Sequence, residues 1–138
     1  MKNLKINFSI AATILFSMVT ILTASAKDKE NPEGFIYRAK AAFSSGNVIS
    51  NTQLLVRVQI LDNSETGAVT YTEEQLVTTD EKGIFSLNVG TGKKTGGSFE
   101  NINWQNPQFI KVEINVAGTL KFYDAGTYRL PSKTQLYL

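Results

Sequence analysis

From Phe35 onward, apolar residues recur at every second position in several separate runs, and no segment repeats them at helical spacing over three turns. A period of two sends successive side chains to opposite faces, which is the signature of half-buried strands. The clearest run is Leu54 to Leu61. Leu54, Val56, Val58 and Ile60 share one face, while Arg57 and Gln59 share the other. Phe109 to Val116 repeats the pattern, with Ile110, Val112, Ile114 and Val116 inward and Lys111, Glu113 and Asn115 outward. Phe35, Tyr37, Ala39, Ala41 and Phe43 form a third apolar face, and Phe85, Leu87 and Val89 a fourth. Ala68 to Thr79, rich in Val, Thr and Tyr, reads as a long strand solvated on one face. Leu120–Tyr123, Tyr128–Leu130 and Thr134–Leu138 close the chain, the last two split by Pro131.

Turn-forming clusters separate these runs. Ser44–Asn47, Asp62–Gly67, Asp80–Gly83, Ala117–Thr119 and Asp124–Gly126 each read as a reversal, and Gly90–Gly97, with four glycines, as a loop. About seven short strands with turn signals roughly every 8–12 residues indicate an all-β fold. The expectation is an antiparallel two-sheet Greek-key sandwich spanning residues 35–138 as one domain, in preference to a closed barrel.

The first residues have a different character. Lys2 and Lys5 precede a stretch from Ile6 to Thr23 that is uncharged and mostly apolar. Ala24-Ser25-Ala26 and the charged run Lys27–Glu30 follow. A positive start, an apolar centre and a small-residue A-x-A site make a secretory signal peptide over residues 1–26, cleaved after Ala26. Residues 27–34, polar with one proline and one glycine, are expected as a flexible leader. The expected location is therefore the periplasm, the outer surface or the medium, with no transmembrane anchor after cleavage.

Composition narrows the chemistry. The 138 residues include no cysteine and no histidine. Disulfides, thiolate metal sites, a Cys nucleophile and a Ser-His-Asp triad are excluded. Two of the 14 basic side chains, Lys2 and Lys5, lie in the expected signal peptide, and without them basic and acidic side chains balance at 12 each. A neutral domain lacks the electrostatic footprint of a nucleic-acid binder. Glu73 and Glu74 are neighbours on a strand, so they point to opposite faces and do not form a carboxylate pair. Asp62, Asn63 and Glu65, like Asp80 and Glu81, read as solvated turn residues rather than a Ca²⁺ site. Gly90–Gly97 lacks the order of a phosphate loop and the helix that must follow one. No catalysis, cofactor or metal is expected.

Two segments remain as candidates for contact. Trp104, the single tryptophan, is surrounded by Asn101, Asn103, Gln105, Asn106 and Gln108. A ring among amides suits a glycan site, where the ring stacks on a sugar and Asn103, Gln105 and Asn106 bind hydroxyls. It also suits a plug at the end of a sandwich, with the amides satisfying loop backbone groups, and burial tendencies favour the plug. The second segment is Thr134–Leu138. Following Pro131, it reads as an edge strand whose Thr134, Leu136 and Leu138 can meet a partner.

Several segments carry a family resemblance: F-x-Y-x-A at Phe35, L-x-V-x-V-x-I at Leu54, T-T-D-E-K-G-I-F-S-L-N-V-G-T-G from Thr78, G-S-F-E-N-I-N-W from Gly97 and F-I-K-V-E-I-N-V from Phe109. Together they resemble the N-terminal sandwich domain of secreted Bacteroidota surface and tail-fibre-like proteins. Asp80-x-x-Gly83-x-Phe85 also resembles the carboxypeptidase-regulatory and transthyretin-like sandwiches. The Bacteroidota family continues into further domains, whereas Leu130-Pro131 is followed here by Ser-Lys-Thr-Gln-Leu-Tyr-Leu, and this departure makes a stand-alone version of the module the expectation. The expected role is non-catalytic contact with another envelope or surface protein, the alternative being glycan binding through Trp104.

Overall fold

The computed structural model describes residues 13–15, 34–116 and 119–131. Its strands are β1 (Thr13–Leu15), β2 (Phe35–Lys40), β3 (Gln53–Asp62), β4 (Val69–Thr78), β5 (Ile84–Val89), β6 (Lys93–Gly97), β7 (Gln108–Val116) and β8 (Tyr123–Arg129). They form two antiparallel sheets, one of five strands in the order β6-β4-β3-β7-β8 and one in the order β1-β2-β5. The protein is an all-β two-sheet sandwich. No helix among the described residues is long and apolar enough to cross a membrane.

The alternation sets the packing. On β3, Leu54, Val56, Val58 and Ile60 are fully buried, and on β7 so are Ile110, Val112 and Ile114. Val58 lies opposite Val112 and Val56 opposite Ile114, so the two apolar faces run as one surface. Phe35, Tyr37 and Ala39 on β2, with Phe85, Leu87 and Val89 on β5, cover it from the other sheet. The wet face carries the charges. Arg57 stands between Glu74 on β4 at 3.1 Å and Glu113 on β7 at 3.7 Å, with its guanidinium 3.7 Å from the Phe122 ring centroid. These partly exposed pairs fix register more than they add stability.

Asp80 organises the reversal between β4 and β5. Its Oδ1 accepts the Lys82 N–H at 2.8 Å and the Ile84 N–H at 2.9 Å. The Ile84 bond above all holds its carboxyl below the usual carboxylate range.

Three expectations need correction. Gly90–Gly97 is not all loop, because Lys93–Gly97 forms β6 along the outer side of β4. The outer ladder of β4 needs a partner, and small residues allow the approach. Gly97 has φ +66°, and a Cβ there would run into the Thr70 carbonyl. Asp124–Gly126 does not break the chain into two strands. It lies inside β8 as an irregularity opposite Val112 and Glu113, where Asp124 Oδ1 accepts the Gly126 N–H at 2.8 Å. Leu120–Phe122 precede that strand, and Leu120 is fully exposed. The first alternation ends at Lys40 rather than Phe43. Ala41 and Ala42 are both buried where the chain turns, the Ala41 N–H donating to Gly83 and its carbonyl accepting from Ile49. Of the N-terminal segment, Thr13–Leu15 pairs with β2. The rest of residues 1–26, and 27–33, lie outside the described residues, as do Thr134–Leu138.

Two outcomes are expected. Ile114→Ala should lower the unfolding free energy by about 2–5 kcal/mol in denaturant titrations, through lost transfer and a cavity. Lys111→Ala, on the opposite face of the same strand, should cost under about 0.5 kcal/mol. Asp80, with its folded pKa depressed, contributes stability that is present above its unfolded pKa of about 3.9 and lost as pH falls through the folded value. Asp80→Asn should therefore flatten the acid limb of a pH-dependent melt and leave its slope near neutrality unchanged.

Candidate functional site

The segment between β6 and β7 closes one end of the sandwich. It leaves β6 at one edge of the five-stranded sheet and enters β7 on the far side of β3, so it must pass over that end. Phe99, in the 3-10 turn Phe99–Asn101, Ile102 and Trp104 point into the core as it crosses. Trp104 is 9% exposed. It meets the Phe35 ring edge-on at 6.3 Å and 89°, and the Phe99 ring at 5.8 Å. Phe99 in turn meets Tyr71 edge-on at 5.2 Å. Such pairs favour tilted geometries and add to area burial. Trp104 is thus packed as a plug against the rings of Phe35 and Phe99.

Of the neighbouring amides, Gln108 and Asn106 are engaged with Asp62, while Asn103 and Gln105 are exposed. Gln108 Nε2 donates to Asp62 Oδ1 at 2.6 Å and to the Asn103 carbonyl at 2.8 Å. Asn106 Nδ2 lies 3.4 Å from both Asp62 oxygens, and Asn103 Oδ1 accepts the Gln105 N–H at 3.1 Å. The structure therefore brings Asn103, Trp104, Gln105 and Asn106 into one turn, and adds Asp62 and Gln108. Asp62 is a hub that fixes the turn between β3 and β4 to the crossing segment, and is not simply a solvated turn residue. Sequence spacing gives no sign of this, since Asp62 and Gln108 are 46 positions apart.

A cavity of about 150 Å³ opens beside this turn, lined by residues 104–108 and 129–131. Trp104 Nε1 and Gln108 Oε1 are buried without a hydrogen-bond partner among the described residues. A donor and an acceptor beside a small polar space suit ordered water.

Glu73 is the second feature that sequence reading passes over. It is buried on the inner face of β4, while Glu74 faces outward to Arg57. Glu73 Oε1 accepts the Gly90 N–H at 2.9 Å; Oε2 accepts the Gly92 N–H at 2.6 Å and the Tyr71 hydroxyl at 3.2 Å. Burial, then the Glu73 charge, pushes the Tyr71 hydroxyl well above its ordinary pKa. The backbone donors of the glycine-rich loop do bind an anion, and that anion is the chain's own carboxylate. A Cβ at Gly92 would sit 2.6 Å from Glu73 Oε2, so the close approach requires glycine. The available signal was an acid on the inward phase of a strand followed by a glycine-rich turn. No group of three or more His, Cys, Asp or Glu able to hold a metal occurs among the described residues.

The sheet edges are the other places of contact. β8 ends the five-stranded sheet, with no further strand on its outer side among the described residues. The outer side of β2 carries Thr13–Leu15. The candidates Thr134, Leu136 and Leu138 lie outside the described residues.

Glu73→Gln tests the clamp. An amide NH₂ must then face an N–H group, leaving a buried donor unsatisfied. The expected loss is about 2 kcal/mol in unfolding free energy, with increased proteolysis within 90–97. An unchanged stability would contradict the clamp.

The model of one protein family, described as a domain of unknown function (DUF8740), matches residues 36–127. No curated protein and no solved structure matches the chain. The matched stretch runs from the second residue of β2 into β8, and the chain belongs to the DUF8740 family.

Proposed function

We propose that the chain is a non-catalytic β-sandwich module of the bacterial envelope, exported by removal of residues 1–26. It acts by contact with another envelope or surface protein through a sheet edge. The observation that carries this reading is the pairing of a closed interior with open edges. Trp104, the residue best suited to a small-molecule or glycan role, is committed to the core. Among the described residues no further strand lies outside β8 or β5, and the outer side of β2 opens once Thr13–Leu15 leaves with residues 1–26; an edge ladder is a ready template for a partner strand. The A-x-A site at Ala24–Ala26 and its charged flank support export. The resemblance to secreted Bacteroidota sandwich domains supports a surface setting.

The test has two parts. The full chain, expressed in a bacterial host, should yield an exported product whose N-terminal sequence begins at Lys27. That product, immobilised, should retain a discrete envelope protein and leave a glycan array empty. Deletion of Thr134–Leu138 with an unchanged melt and lost retention places the contact on the C-terminal edge. A product that keeps Met1–Ala26, or glycan retention abolished by Trp104→Ala without loss of folding, contradicts the reading.

A further inference from the structure

In the full chain, Thr13–Leu15 lies antiparallel on the outer side of β2, with Thr13 opposite Arg38, Ile14 opposite Tyr37 and Leu15 opposite Ile36. The other side of β2 is filled along its whole length by β5. The two sheets are unequal. Strands lie about 4.8 Å apart, so β2 and β5 alone span two strand widths against five. A third strand on β2 widens the cover over the buried faces of the larger sheet.

The chemistry of this edge is legible on β2 itself. Tyr37 and Ala39 face the core and are buried, and the Tyr37 hydroxyl has no hydrogen-bond partner among the described residues. Arg38 and Lys40 face outward and are exposed. Neither β2 nor β5 carries an acid. A second copy docking edge to edge in a core-matching register places four cations on one face, and like charges across strands destabilise. A strand with apolar residues opposite Tyr37 and Ala39, and acids opposite Arg38 and Lys40, satisfies both faces.

We propose that the outer edge of β2 is a strand-accepting site, held by Thr13–Leu15 in the full chain and opened by loss of residues 1–26 to an antiparallel strand of another exported protein that alternates apolar residues with Asp or Glu. The opening step rests on the export reading above; the acceptor edge does not. Thr13–Leu15 guards the edge while residues 1–26 are attached, and their removal makes the edge available.

Amide hydrogen exchange on the purified full chain tests the edge. Proline at position 14 cannot donate to a ladder. Ile14→Pro, and independently Leu15→Pro, should speed exchange of the outward-facing amides of Phe35–Lys40 by roughly tenfold, with β3 and β7 amides unchanged as the folding control. A synthetic Val-Glu-Val-Glu-Val peptide should restore protection in these variants, and Val-Lys-Val-Lys-Val should do so at least about fivefold more weakly. Unchanged β2 exchange in both variants overturns the proposal. So does equal protection by the two peptides, or a variant that protects its own β2 by dimerising in ultracentrifugation. N-terminal sequencing reads export separately, so a failure there is distinct from a failure of the edge.

Discussion

The fold depends on burying one continuous apolar surface, the inner faces of β3 and β7. β3 pairs on both sides, so its ladder is complete within its own sheet. Leu54, Val56, Val58 and Ile60 are then free to face inward, each worth about 1.5–3 kcal/mol when removed from water. That surface requires a lid, and the lid is the small sheet of β2 and β5. Everything else follows from sealing it. The crossing segment brings Phe99, Ile102 and Trp104 over one end. At the other, the chain folds Ala41, Ala42 and Ile49 beneath the Asp80 turn.

Several polar side chains around the seal are matched, and the matches join elements that the apolar pattern leaves separate; the Tyr37 hydroxyl, Trp104 Nε1 and Gln108 Oε1 have no partner among the described residues. Glu73 holds the turn between β5 and β6 by two backbone N–H groups. Gln75 Nε2 donates to the Asn88 carbonyl at 2.7 Å, tying β4 to β5 across the two sheets. Asp62 holds the crossing segment through Gln108 and Asn106. A charge or amide buried without such partners costs more than the bond it makes is worth. These side chains are therefore sensitive points of a domain whose amides otherwise look suited to binding a ligand.

The strands with strict alternation were legible in the sequence, because a period of two leaves only one register for Leu54–Ile60 and Ile110–Ile114. β6 was not, because Lys-Lys-Thr-Gly-Gly carries no apolar phase and is placed by the ladder of β4 alone. β8 was split in the reading because Asp-Ala-Gly is a turn signal, and only its pairing with β7 shows that the same residues make an irregularity within a strand. At the Trp104 turn the cluster of Asn103, Gln105 and Asn106 was visible. Their direction was not, since it is set by Asp62 on a distant strand. The buried role of Glu73 was hidden for the same reason, its partners lying across the sandwich.

The burial of Trp104 as a plug supports the proposal that contact is made at the sheet edges. Trp104 is the single tryptophan, so the intrinsic fluorescence of the folded protein reports on this one ring. A ring buried as a plug should give a blue-shifted emission, weak quenching by acrylamide and no change on titration with soluble oligosaccharides, with a shift to the red only on unfolding. Emission at the wavelength of a solvated indole in the folded protein, with strong quenching that a sugar relieves, would contradict it.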